Sequence, residues 1–406
     1  MLRASSDKTT RAARRILYCA VGAALLTMPA LAVADETFSE VAHITIPGAP
    51  LHSFDISWVD SSLHSYLLAD RTHAQVDVLD TGAVHTFRAI GAGAFIGDTG
   101  NSDTSGPNGV LTITQPGNPN NSNSHGAPQV WAGDGPHPAN CPNGPDCKST
   151  VKIFDFASGN LVNVVSTGGT ARADELCYDP RDHLVMIAND ADTPPFVTFI
   201  STEGNNKVLG KISIPESNGG IEQCQWNPRN GMIYLNIPST TDDSNGKVYV
   251  IDPRHETIVA KHDATDGCQP TGMALGPAPQ ILLGCGGPDA LVMNDDGSIL
   301  SVITGQGGED EVWYNPGDGH YSLAESNNTI QKQLGIVDSS NESIDQDIKT
   351  GTSSHSVAAD PVSNQIYLPV RDNGGGSPTL CGDTNGCIAI FGTGNQDADD
   401  VPRNTN

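Results

Sequence analysis

The chain has 406 residues, with 44 Gly, 27 Pro, 5% aromatic, 17% charged and 37% hydrophobic residues. That length exceeds a comfortable single two-layer domain unless the fold is built by repetition, and the apolar share is too high for a disordered chain. The formal net charge of −26 deepens to −30 once the first 34 residues are set aside, which argues against a nucleic-acid partner or an anionic membrane, since neither phosphate surface attracts such a chain.

Residues 1–34 read as a signal peptide. A basic region ending Arg14-Arg15 precedes an apolar run over 16–31, and Ala32-Val33-Ala34 forms a small-x-small cleavage site before Asp35. The run is too short for a bilayer span of roughly 20 residues. After signal cleavage no transmembrane segment is expected, and the mature protein is expected in the periplasm or secreted. Eight cysteines then remain, an even number that suits disulfides in an oxidising compartment. Cys141/Cys147 and Cys381/Cys387 each enclose five turn-forming residues and are expected to close local loops. Connectivity stays open for Cys177, Cys224, Cys268 and Cys285. Cys268–Cys285 would join neighbouring strands, and Cys177–Cys224 would take the other two.

Repetition dominates the rest of the chain. An apolar strand ending near an Asp or a turn occurs at 74–81 (AQVDVLDT), 149–156 (STVKIFDF), 195–202 (PFVTFIST), 246–253 (GKVYVIDP), 289–296 (DALVMNDD), 334–341 (LGIVDSSN) and 386–393 (GCIAIFGT). Most intervals are about 43 to 54 residues, the length of one four-stranded propeller blade with its turns. One interval is about 75 residues, assigned to a Gly/Asn/Pro-rich insertion over 91–148 in blade two. Before most copies stands a strand–turn–strand unit, as in ELCYDPRDHLVMIAND from Glu175 and EQCQWNPRNGMIYLNIP from Glu222, reversed at Asp-Pro, Asn-Pro or Gly-Pro. Outer strands are expected at 161–167, 207–214, 257–263, 298–304 and 342–350. The last blade lacks one, and the spare strand at 41–48 (VAHITIPG) would supply it and close the ring. The fold expected is therefore all-β: a single seven-bladed β-propeller over 35–396 with four-stranded antiparallel blades, followed by a disordered tail over 397–406.

The segments MIYLNIP at Met232, KVYVIDP at Lys247 and QIYLPV at Gln365 give the repeat its character. In these it resembles the YVTN/YncE-like family of exported seven-bladed propellers, which includes binding and cell-surface proteins. The overall plan is also faintly similar to lactonase-type propellers, which implies one divalent metal in the central channel, although their ligand motif is not matched here residue by residue.

In a propeller the loops entering each inner strand converge around the channel. Counting back from each turn proline places Asp174/Glu175, Glu222, Asp310/Glu311 and His355 there, with Asp55 and His52 at the matching place in blade one. Blades two and five carry Asn108 and Thr271 instead. Second-strand exits add Arg71, Asp190, Glu325 and Arg371. Converging carboxylates repel one another unless protons or a cation neutralise them. His52, Glu175, Glu222, Glu311 and His355 are the expected ligands for Ca²⁺, or for Fe²⁺, Mn²⁺ or Zn²⁺. Asp174 or Asp310 would shuttle protons, and Asp55, Arg71, Asp190, Glu325 and Arg371 would contact ligand. The plain reading of each acid is a solvated or backbone-capping side chain, and of each arginine an ion pair with a blade acid.

Two functions fit this pattern. One is a metal-assisted hydrolase or lyase acting on a small or carbohydrate-like substrate in the channel. The other is a non-catalytic propeller that captures a small ligand or a protein partner through its top face. Phosphate loops, dinucleotide fingerprints and the G-x-S-x-G elbow are all lacking from the sequence.

Overall fold

The structure, a computed structural model, describes residues 37–114, 126–140, 144, 147–327, 332–350, 354–372 and 380–393. The expected signal peptide, the tail over 397–406 and Cys141 lie outside the described residues. Seven four-stranded antiparallel sheets form the seven blades of a β-propeller, as the repeats foretold. Their inner strands are Ser57–Asp60, Val110–Thr114, Leu176–Asp179, Cys224–Asn227, Pro270–Leu275, Val312–Asn315 and Ala358–Asp360.

Blade seven takes its outer strand from the N-terminus. Phe38–Ile44 pairs antiparallel with Cys387–Thr393, from Phe38 opposite Thr393 to Ile44 opposite Ile388. The strand begins three residues earlier than the sequence pattern suggested, because Phe38 is buried among blade-seven residues such as Ile366 and Phe391. Closure in this way ties the two ends of the repeat together and gives blade seven its fourth strand.

Burial explains the strand chemistry. Second strands are covered on both faces by neighbouring blades, so Ser65–Asp70 and Leu184–Asn189 are buried at every position and read as continuous apolar runs. Outer strands have one face in solvent, and Thr257–Asp263 alternates exposed and half-buried. Six blades carry a register shift between third and fourth strands, an extra residue that increases the local twist. The recurring tyrosine of the second strand is fully buried, and its hydroxyl is satisfied each time. Tyr66 Oη lies 2.9 Å from Ser57 Oγ, while Tyr234 donates to the Asp295 carbonyl at 2.8 Å and Tyr321 to Gln280 at 2.9 Å.

The hairpin turns are set by their Asx residue. The side chains of Asp60, Asp179, Asn227 and Asn315 each accept a hydrogen bond from the backbone N–H two residues on. Each of these turns then ends in the left-handed region, filled by His64 at φ 48°, His183 at 53°, Gly231 at 76° and Gly319 at 81°.

The 91–148 stretch differs from expectation. It contains the first and second strands of blade two, Val110–Thr114 and Pro128–Asp134, so the extra length resides in the connections around them. Gly and Asn in those connections obscured two ordinary strands. Disulfides join Cys177 to Cys224, Cys268 to Cys285 and Cys381 to Cys387. The first links the inner strands of blades three and four. No helix among the described residues is long and apolar enough to cross a membrane.

Candidate functional site

The residues just before the inner strands meet at one end of the channel. Asp55, Asp174, Glu175, Glu222, Asp310 and His355, from five blades, line a cavity of about 320 Å³. Arg71 and Arg371 reach the same cavity from second-strand exits. Eight of the twelve residues selected from the sequence are thus brought together.

The cavity is held by guanidinium groups. Arg71 pairs with the buried Asp55 and donates from Nη2 to Asn108 Oδ1 at 2.7 Å. Asn108, the blade-two residue where other blades carry an acid, also donates to the Ala173 carbonyl at 2.8 Å and so fixes Arg71 across the blade boundary. Arg172, not foreseen from the sequence, bridges Asp174 at 2.6 Å and Asp190 at 2.9 Å. It stands two residues ahead of Asp174 in the entry loop, outside the single position that the repeat register picks out. An arginine beside a recurring acid was the available signal. His355 stacks on Phe54 at 4.7 Å with rings 8° apart, which sets its Nε2 3.6 Å from Asp55.

The remaining four selected residues lie elsewhere. His52 has a side chain 60% exposed, on the outer rim, with Nδ1 3.3 Å from Asp372. Glu311 sits deeper, where its carboxylate accepts from the Ser57 N–H at 3.3 Å and from Ser356 Oγ. Asp190 lines a neighbouring groove of about 660 Å³ that also touches Glu222. Glu325 is wholly buried and accepts from Gln333 Nε2 at 3.0 Å. It occupies the buried polar position at the end of a second strand, where Asn236 in blade four donates to the Thr271 and Gly272 carbonyls of blade five.

Burial and crowding divide the carboxyls into two kinds. Burial alone would raise Asp55, but Arg71 and His355 outweigh it and hold Asp55 well below the usual carboxylate range. Burial pushes Asp310 up, and the Asp55 charge adds to this against the pull of His355. Glu175 stands well above its ordinary value through burial and the charges of Glu311 and Asp174. Glu222 does so through burial and the charges of Asp190 and Asp310. Glu311 is raised by burial against its two donors. The site therefore mixes one carboxylate held low with several whose pKa values burial and neighbouring charge push up.

The expected ion-holding set is not assembled. His52 is on the rim, Glu311 is occupied by two donors, and cationic Arg172 stands among the remaining acids. Among the described residues no three His, Cys, Asp or Glu side chains are grouped so that they could hold a metal ion. A divalent metal of the lactonase type does not fit these donors as they are placed.

No protein-family model matches the chain. No curated protein sequence matches it. Among solved structures it is similar to a chain of one titled "Crystal Structure of Mitotic Checkpoint Complex", at 14% identity and a TM-score of 0.58 over 93% of this chain and 98% of that one. Such a likeness shows the propeller fold alone.

Proposed function

We propose that the channel mouth binds a small carbohydrate-like molecule and acts on it as a hydrolase or lyase by general acid–base catalysis. The observation that carries this reading is that Asp55, held ionised by Arg71 and His355, lines the same cavity as Asp310, whose carboxyl burial pushes up. A carboxylate that stays ionised to stabilise developing positive charge, beside a carboxyl of raised pKa that donates a proton, is the division of labour that glycosidic cleavage uses. Asp310 takes the proton-shuttle role because Asp174 is committed to Arg172. Glu175 and Glu222 supply hydroxyl-directed hydrogen bonds. Three disulfides and the signal-like leader support export to the periplasm or beyond.

A panel of neutral and acidic sugars, glycosides and sugar lactones tests this, with binding followed by calorimetry and turnover by product release. Asp310→Asn is expected to lower turnover by ~100-fold or more while ligand still binds. EDTA should leave both rate and melting temperature unchanged. A rate lost to EDTA and restored by Ca²⁺ or Mn²⁺ would return the site to metal chemistry. Binding without turnover by the unmodified protein would make it a capture propeller, and no binding at all would refute the reading.

A further inference from the structure

Of the three guanidinium groups in the cavity, Arg371 alone has no carboxylate partner among the described residues. Arg71 is committed to Asp55 and Asn108, and Arg172 to Asp174 and Asp190. Arg371 donates through Nε to the His52 carbonyl at 2.6 Å, and neither of its Nη nitrogens bonds to a described residue. That single bond orients the planar head while the residue lines the cavity. Across the rest of the lining, the acids outnumber the arginines. The Arg371 guanidinium, with both Nη nitrogens unbonded among the described residues, is a strong donor fork facing the cavity.

We propose that Arg371 is the carboxylate subsite of the cavity, and that the ligand is a sugar acid. This rests on the reading of the channel mouth as a carbohydrate-like site and names its substrate class. A planar carboxylate matches the free edge of a guanidinium with two parallel hydrogen bonds. A phosphate dianion suits the cavity less well, because its second negative charge adds to that of the ionised Asp55 in the same lining. The sugar hydroxyls then meet the carboxyls of Glu175, Glu222 and Asp310, which line the same cavity and accept their hydrogen bonds. The cation offers affinity only to the charged end of the ligand, so it discriminates an acidic sugar from its neutral counterpart of equal size.

Calorimetric titration of the intact protein with glucuronate, glucose and glucose 6-phosphate tests the assignment. Glucuronate is expected to bind about tenfold or more tighter than glucose, the worth of one charge-assisted pair. Arg371→Gln should collapse that ratio towards one, and Arg371→Lys should restore part of it. Equal binding of glucuronate and glucose, or an unchanged ratio in Arg371→Gln, would overturn the subsite while leaving the sugar site standing. Glucose 6-phosphate binding tighter than glucuronate would overturn the choice of a carboxylate. If none of the three binds, the sugar reading of the channel mouth fails together with the subsite.

Discussion

Glu309 gives the sharpest test of the electrostatics of this fold. It lies in the entry loop of blade six, 98% buried, with Oε2 accepting the Cys285 N–H at 2.8 Å and Oε1 without a partner among the described residues. Burial, with the nearby Glu325 charge, pushes its carboxyl from 4.5 up to about 8. A carboxyl whose pKa is raised on folding stabilises the fold in its protonated form. Its contribution is full below about pH 4.5 and is lost as pH rises through about 8. At about 1.4 kcal/mol per pKa unit, ionising Glu309 costs the fold on the order of 5 kcal/mol at most, of which roughly 3 is already lost by pH 7. Glu309→Gln keeps an oxygen for the Cys285 N–H and removes the titration. Urea unfolding followed by circular dichroism at about pH 5, 7 and 9 measures both proteins, and the other raised acids cancel in the difference. The variant should equal or fall slightly below the parent at the lowest pH. It should then exceed the parent by a margin that grows to several kcal/mol at the highest. A difference between the two proteins that does not change with pH would refute the reasoning.

Three further outcomes follow from particular contacts. Replacing Cys177 and Cys224 together by Ser removes the tie between the inner strands of blades three and four, and should cost about 2–4 kcal/mol in denaturant unfolding. The same change should also shift the pH profile of ligand binding, since Glu175 and Glu222 each stand two residues ahead of these cysteines. Arg172→Met leaves Asp174 and Asp190 without their cation and should destabilise by roughly 3–5 kcal/mol near neutral pH. Burial raises both carboxyls even with Arg172 present, so that loss should shrink as pH falls and they take up protons, and a loss independent of pH would contradict the pairing. Deleting residues 37–45 should open the ring at blade seven, seen as a lower and broader melting transition with self-association; a monomer of unchanged melting would show that closure contributes nothing.

Much of the architecture was legible because propeller repeats are local. Each blade needs a doubly buried second strand, an Asx-Pro-type turn and an alternating outer strand, and each demand leaves its own residue pattern, as in MIYLNIP followed by KVYVIDP. The missing outer strand of blade seven and the spare N-terminal strand were likewise visible as a deficit and a surplus of the same element. Blade two was the exception. Its strands Val110–Thr114 and Pro128–Asp134 are short and embedded in Gly/Asn-rich connections, so composition over a window hid them.

For the site, blade register was a good guide to which backbone positions converge and a poor guide to where side chains go. Asp55, Asp174, Glu175, Glu222, Asp310 and His355 stand where counting back from the turns put them. His52 and Glu325 obey the same register yet turn outward to the rim and inward between blades. Arg172 departs from the register altogether and is the cation around which two acids are arranged.

The sequence by itself determined the ring, its seven blades, its closure and the surplus of acid around the channel, since these follow from periodicity and turn chemistry within each repeat. Only the tertiary structure decided how that acid is neutralised. Ion pairs with Arg71 and Arg172, carboxyls raised by burial, and an Arg371 with no carboxylate partner among the described residues depend on distances of a few ångströms between different blades. Residues far apart in the chain set those distances, and no local pattern encodes them.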